Sequence, residues 1–149
     1  MIDSSKSYKA KINILSTLTD LGASGIPEGN PEKSETAVEG NVRYSDSSDV
    51  FISYREDTEG GAVFSDIKIS ESKVTVLRRG AIESTMVFEE GIIHRSVYTL
   101  HPYKMDMEIM TKRIRKSISD TGIELNLIYE MKIGGSLRSA VFKISACLK

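Results

Sequence analysis

The sequence has little of several residues that would point to particular classes of protein. It contains one cysteine, Cys147, no tryptophan and three prolines in 149 residues. A single cysteine excludes an intrachain disulfide, and no stretch approaches the roughly 18 consecutive apolar residues of a membrane-spanning helix. The first residues also lack the apolar segment of a signal peptide. We therefore expect a cytoplasmic protein without a membrane partner, in which Cys147 is a small packing residue.

Net charge is also nearly absent, because the chain has 20 basic and 21 acidic side chains and therefore a formal charge of −1. No overall field therefore attracts nucleic acid or a membrane surface. The charges are nevertheless uneven along the chain. Residues 1–60 hold 6 basic and 11 acidic side chains, whereas residues 61–149 hold 14 and 10. In a closed sheet this difference predicts one acidic and one basic wall.

The chain does have a two-residue period of apolar and polar side chains, which is typical of half-buried β-strands. About ten such runs follow one another, and turn signals such as Gly60-Gly61 and Gly134-Gly135 separate them. No segment shows a sustained helical period. The clearest apolar faces are Tyr8, Ala10, Ile12 and Ile14; Val50, Ile52 and Tyr54; and Ile123, Leu125, Leu127, Tyr129, Met131 and Ile133.

Short links between successive strands predict antiparallel neighbours, and a meander of this length closes into a barrel that has no free edges. We therefore predict an all-β fold, a single closed antiparallel up-and-down barrel of about 8–10 strands that spans residues 1–149 as one domain. A two-sheet sandwich is the alternative, but it needs longer crossings between its sheets. One link differs from the others: residues 21–32 contain three glycines and two prolines, which predicts a mobile loop.

Several motifs resemble those of the YwiB-like family of uncharacterised bacterial β-barrel proteins. The resemblance rests on residues 67–70 and 74–82, on the Tyr54-Arg55-Glu56 strand that follows Gly40, and on Phe88 after the Arg79-Gly80 turn. It continues at Tyr98, Met105, Met107, Ile109 and Thr111, and at Tyr129 in the penultimate long strand. The sequence departs from the family at His101-Pro102-Tyr103, where a turn glycine is replaced, and at the long link 21–32. The resemblance implies a calycin-like (lipocalin-type) barrel and a bacterial, cytoplasmic origin, but no reaction.

Glu56 and Arg78 are charged residues at the ends of otherwise apolar strand faces. If those faces point inward, both charges approach the barrel interior, where an unpaired charge is costly. Glu56 and Arg78 could pair with each other or cap the barrel mouth. Alternatively, the Arg78 guanidinium could bind the carboxylate or phosphate of a ligand. The candidate ligand-binding residues are Arg78, Glu56, Tyr54, Thr111 and Tyr129.

The remaining polar clusters do not suggest a catalytic or metal site. His94 and His101 have no third ligand nearby in sequence, so we expect no metal and no cofactor. The basic residues of the run 112–116 should divide between two strand faces, with Lys112 and Lys116 on one and Arg113 and Arg115 on the other. We therefore expect no nucleic-acid partner. Five methionines could line the interior, where they would pack the core or adapt to an apolar ligand; they are Met86, Met105, Met107, Met110 and Met131.

Three functions fit this pattern. The first is a non-catalytic barrel that binds a small amphipathic or anionic ligand, with the anionic group at Arg78. The second is a protein or RNA interaction module whose barrel is filled by side chains. The third is an enzyme with Glu56 as general base, because a carboxylate against an apolar face would have a raised pKa. The sequence leaves the oligomeric state open.

Overall fold

The computed structural model describes residues 6–22 and 25–149, and all regular elements within these ranges are β-strands. The alternating pattern produces ten of them. They are β1 (Ser7–Leu21), β2 (Pro27–Tyr44), β3 (Val50–Thr58), β4 (Gly61–Ile69), β5 (Val74–Gly80), β6 (Ile82–Phe88), β7 (Ile93–Leu100), β8 (Tyr103–Ile118), β9 (Gly122–Ile133) and β10 (Ser136–Leu148).

Each strand pairs with its neighbour in sequence, and β1 pairs with β10 to close the sheet. All ten pairings are antiparallel. This arrangement is the predicted up-and-down barrel and not the sandwich. The glycine pairs lie at the turns between β3 and β4 and between β9 and β10, as predicted.

The two ends of the barrel are filled differently. At one end, where β1 begins at Ser7 and β2 ends at Tyr44, buried apolar side chains fill the interior; we call it the packed end. The opposite end, where β1 ends at Leu21 and β2 begins at Pro27, is the cavity end. The core of the packed end includes Ala10, Ile12, Val42, Val50, Ile52, Ile67, Ile69, Val74, Val76, Phe88, Ile123, Leu125, Ile144 and Ala146.

The predicted loop 21–32 is largely strand. Leu21 still belongs to β1, and Pro27 already begins β2, with Leu21 opposite Pro27 and Asp20 opposite Glu28. The prediction of an irregular loop is therefore wrong for residues 27–32, whereas residues 23–24 lie outside the described residues. The prolines are tolerated because β2 has a free edge here, and a proline at a strand start or on an edge removes no ladder hydrogen bond.

The free edge of β2 follows from a short β2–β3 ladder. The two strands pair from Tyr44–Val50 only as far as Gly40–Tyr54. In the described part of the chain, residues 27–39 of β2 therefore have no partner on β3. Most of them pair with β1, with a bulge at residues 29–31. A gap opens between β2 and β3 towards the cavity end.

Cys147 does not pack in the interior. The inward positions of β10 are even-numbered, among them Ala140, Phe142, Ile144 and Ala146, so Cys147 lies on the outer face and is exposed. The prediction that it is a packing residue is wrong.

Within the described residues there is also no helix with the length and hydropathy that a membrane crossing requires.

Candidate ligand-binding site

A cavity of about 550 Å³ occupies the barrel between the packed core and the cavity end. This volume lies within the range of about 300–1,000 Å³ that is usual for small-molecule sites. The cavity wall includes hydroxyl side chains on both sides of the β2–β3 gap. Three of the hydroxyl residues that line the cavity are exposed, namely Ser34, Thr58 and Ser136, so the cavity reaches solvent. The apolar wall is formed by Ile14, Leu18, Val63, Ile82, Met86, Met105, Met107, Met131, Ile133 and Phe142.

Four inward-facing polar residues lie side by side across strands β3 to β6. Tyr54 is opposite Ser65, Ser65 is opposite Arg78, and Arg78 is opposite Ser84. We call these four residues the polar row. Opposite positions on adjacent strands bring side chains within about 5.5 Å of one another at Cβ, so the hydroxyls of Ser65 and Ser84 flank the stem of Arg78.

The hydroxyls of the polar row are buried without partners. Tyr54, Ser65 and Ser84 are each at most 5% exposed. No hydrogen bond of good geometry reaches the Tyr54 hydroxyl, Ser65 Oγ or Ser84 Oγ in the described structure. Ser65 and Arg78 nevertheless lie close enough to the Tyr54 hydroxyl to lower its pKa. A buried hydroxyl without a partner costs roughly 1–3 kcal/mol, which makes such groups rare in a core that serves stability alone.

The charge of Arg78 acts on two phenols. Burial raises the pKa of Tyr54, while Arg78 and Ser65 oppose the rise and Glu56 adds to it. Burial likewise raises the pKa of Tyr129, and Arg78 again opposes it. Both phenols are therefore neutral at ordinary pH and can donate a hydrogen bond.

Glu56 and Arg78 both lie on the cavity wall, but no ion pair joins them among the described side chains. The interpretation that the two charges pair directly is therefore wrong. Arg138, the other arginine on the wall, differs in this respect. Its Nε lies 2.9 Å from Asp20 Oδ1, and its Nη1 lies 3.9 Å from Glu32 Oε2. Arg78 is thus the cavity arginine without a carboxylate partner in the described structure.

The structure brings three of the five candidate residues to the cavity wall, namely Arg78, Glu56 and Tyr129. Tyr54 lies deeper, in the polar row. Thr111 is fully buried on β8 opposite Tyr129, and its Oγ1 also lacks a partner in the described structure. Neither Tyr54 nor Thr111 lines the cavity.

Sequence reasoning missed Ser65 and Ser84, although a signal was present. Ser65 lies two residues from both Val63 and Ile67, so its side chain faces the same side of β4 as theirs. Ser84 lies two residues from both Ile82 and Met86, so its side chain faces the same side of β6 as theirs. Each is a polar residue on an apolar strand face, which is the pattern that identified Glu56 and Arg78.

The methionines and the basic run differ in detail from the predictions. Four of the five methionines line the cavity. Met110 lies between Ile109 and Thr111, which are buried, and its own side chain faces outward. A β-bulge between Thr111 and Arg113 shifts the register, so the predicted division of the basic run is also wrong. Lys112, Arg113 and Arg115 all lie on the outer face, where Lys112 pairs with Glu130 at 2.9 Å, while Lys116 binds the carbonyl oxygens of residues 70 and 71.

The two histidines contact carboxylates in separate places. His94 Nε2 lies 3.0 Å from Glu89 Oε1, and His101 Nε2 lies 3.4 Å from Glu83 Oε2. Over residues 6–22 and 25–149, no three side chains of His, Cys, Asp or Glu converge as a metal site would require.

Replacing Ser65 by alanine is expected to stabilise the free protein by about 1–2 kcal/mol, because it removes a buried hydroxyl that has no partner. Urea denaturation measures the change as a shift in midpoint. Ser53→Ala is the matched control on the neighbouring strand, since Ser53 Oγ donates to Asp66 Oδ1 at 2.8 Å. That variant should lose about 0.5–1.5 kcal/mol. Destabilisation of Ser65→Ala to the level of the control would mean that Ser65 has a partner in solution.

Comparison with known proteins agrees with this architecture. The "Uncharacterized beta-barrel protein YwiB" of Bacillus subtilis is 27% identical over 107 residues, which cover 72% of this chain and 75% of that protein. A crystal structure of the ywiB protein from Bacillus subtilis superposes with a TM-score of 0.84 at 22% identity, covering 96% of this chain and 93% of the other. Residues 23–143 match the family described as Domain of unknown function (DUF1934). The chain therefore belongs to the DUF1934 family, whose function is unknown.

Proposed function

We propose that this protein is a non-catalytic barrel that binds a small amphipathic ligand with an anionic group. The anionic group binds Arg78, and the apolar part lies among the cavity methionines. The observation that carries the proposal is that Arg78 faces a cavity without a carboxylate partner in the described structure, between two buried serines.

Electrostatics favours an anion at this position. A partly buried guanidinium without a counter-ion is unfavourable, and a bound carboxylate or phosphate supplies one. The planar fork of arginine binds either group through two parallel hydrogen bonds. The neutral phenol of Tyr129, on the cavity wall near Arg78, adds a hydrogen-bond donor.

The cavity also limits the size of the ligand. At about 30 Å³ per water-sized atom, 550 Å³ holds roughly 18 non-hydrogen atoms, so a ligand of about 10–15 such atoms fits. Flexible, polarisable methionines suit an alkyl or aryl body. A barrel that encloses one small ligand is the arrangement of lipocalins, and we extend that comparison to this chain. We also propose a cytoplasmic location, where an exposed lone thiol stays reduced.

The cavity favours ligand binding over the two alternative functions. An interaction module with a filled barrel needs no space of about 550 Å³ in its interior. An enzyme that uses Glu56 as general base needs a second catalytic group, and no observation in the described structure assigns that role to a residue of the cavity wall.

Isothermal titration calorimetry with decanoate and decanol tests the proposal. We expect decanoate to bind more tightly than decanol, and Arg78→Ala to weaken decanoate binding about 10- to 100-fold, which corresponds to the loss of charge-assisted hydrogen bonds. Arg79→Ala is the matched control, because Arg79 is the next residue, faces outward and pairs with Asp66 at 2.8 Å.

The control variant should bind decanoate as the wild type does. The proposal is lost if neither decanoate nor another amphipathic carboxylate of this length binds, or if the two arginine variants bind such a ligand equally well.

A further inference from the structure

We infer that the ligand is a zwitterion, with its anionic group at Arg78 and a cationic group at Glu56. The inference rests on the proposed function and specifies its ligand class. Three charged residues line the cavity, and Asp20 and Glu32 already neutralise one of them, Arg138. The two that remain have opposite signs and do not pair with each other.

The register separates these two charges by a distance that a ligand can bridge. Tyr54 lies two strands from Arg78 in the polar row, and Glu56 lies two residues beyond Tyr54 towards the cavity end. With strands about 4.8 Å apart and a rise of about 3.3 Å per residue, the Cα atoms of Glu56 and Arg78 are roughly 12 Å apart. Both side chains reach inward from the wall, so the space between their charged groups suits opposite charges that are separated by a few bonds.

A simple anion fits this cavity less well than a zwitterion does. An anion would neutralise Arg78 and leave the carboxylate of Glu56 unpaired on the same wall, where it would repel the incoming charge. A zwitterion is neutral overall and provides a partner for each residue. An amino acid with a long apolar side chain has this chemistry: a carboxylate, an ammonium on the adjacent carbon and a body for the methionine-lined wall.

Calorimetry with two ten-carbon probes tests the inference: decanoate and 2-aminodecanoate. We expect wild-type protein to bind 2-aminodecanoate about tenfold or more tightly than decanoate, because a second charge-assisted contact forms. Glu56→Gln should abolish that preference, leaving the two acids with similar affinities. The control is Asp57→Asn, because Asp57 is the next residue on β3 and its side chain is 79% exposed and pairs with Arg55. It should keep the wild-type preference.

The possible outcomes separate this inference from the proposed function. If decanoate binds as tightly as 2-aminodecanoate, or if Glu56→Gln keeps the preference, the zwitterion is ruled out, while binding of decanoate through Arg78 still stands. If neither acid binds to wild-type protein, both proposals fail. Circular dichroism of each variant establishes that its barrel is folded.

Discussion

Replacement of Phe88 by alanine is expected to lower the free energy of unfolding by about 3–5 kcal/mol. Phe88 is 2% exposed and ends β6 in the core of the packed end. Its ring packs edge-to-face on Tyr129, with the ring centroids 4.8 Å apart. Alanine would lose the burial and the ring contact and leave a void in a closed barrel that can collapse only partly. Urea denaturation, with equal slopes for both proteins, measures the difference.

Phe64→Ala provides the matched control for this prediction. Phe64 lies on the outer face of β4, where its ring is 44% exposed and contacts the Arg55 guanidinium. We expect that variant to lose about 1 kcal/mol or less, since it loses a surface cation–π contact and little burial. Equal losses for Phe64 and Phe88 would contradict the division into an outer face and a packed interior.

Gly40→Ala is expected to cost about 3 kcal/mol, near the upper end for overpacking, because the obstructing atom is backbone. A Cβ at Gly40 would lie 2.3 Å from the Ser53 carbonyl oxygen and 2.5 Å from Ile12 Cδ1. Among the residues of β2 that pair with β3, Gly40 is also the one nearest the cavity end. Relief of the clash would therefore separate the two strands further and widen the gap beside the cavity.

The control for Gly40 is Gly60→Ala, where the nearest atoms to a new Cβ lie 3.9 and 4.0 Å away, in ordinary contact. Thermal unfolding of the two variants gives the comparison. If Gly40→Ala unfolds at the temperature of Gly60→Ala, then β2 and β3 do not approach each other as closely as described.

The sequence was sufficient to predict the barrel because the two-residue period is local and repeats in every strand. Short turns, such as the one at Gly60-Gly61, make neighbours in sequence neighbours in space. Residues 27–32 are the exception, since their prolines and glycine are typical of a loop. They nevertheless continue β2, because residues 27, 28 and 32 pair with β1 and the other edge of the strand is free.

The candidate site could be predicted only in part. Parity indicated that Glu56 and Arg78 face inward, but it does not give the register that places Ser65 and Ser84 on either side of Arg78. Register depends on turn geometry and on contacts between strands, and a single β-bulge reverses parity, as it does after Thr111. Whether side chains fill the interior depends on the sizes of the inward-facing residues of all ten strands, so the pattern of any one strand does not predict it.

The central claim is that an amphipathic ligand with an anionic group binds inside the barrel, and methionine methyl NMR tests it most directly. Four methionines line the cavity, whereas Met110 lies on the outer face and serves as an internal control. With 13C-labelled methionine methyl groups, titration of decanoate should shift the signals of Met86, Met105, Met107 and Met131 and leave that of Met110 in place. Unchanged cavity signals at saturating decanoate, or a shift confined to Met110, would contradict binding in the interior.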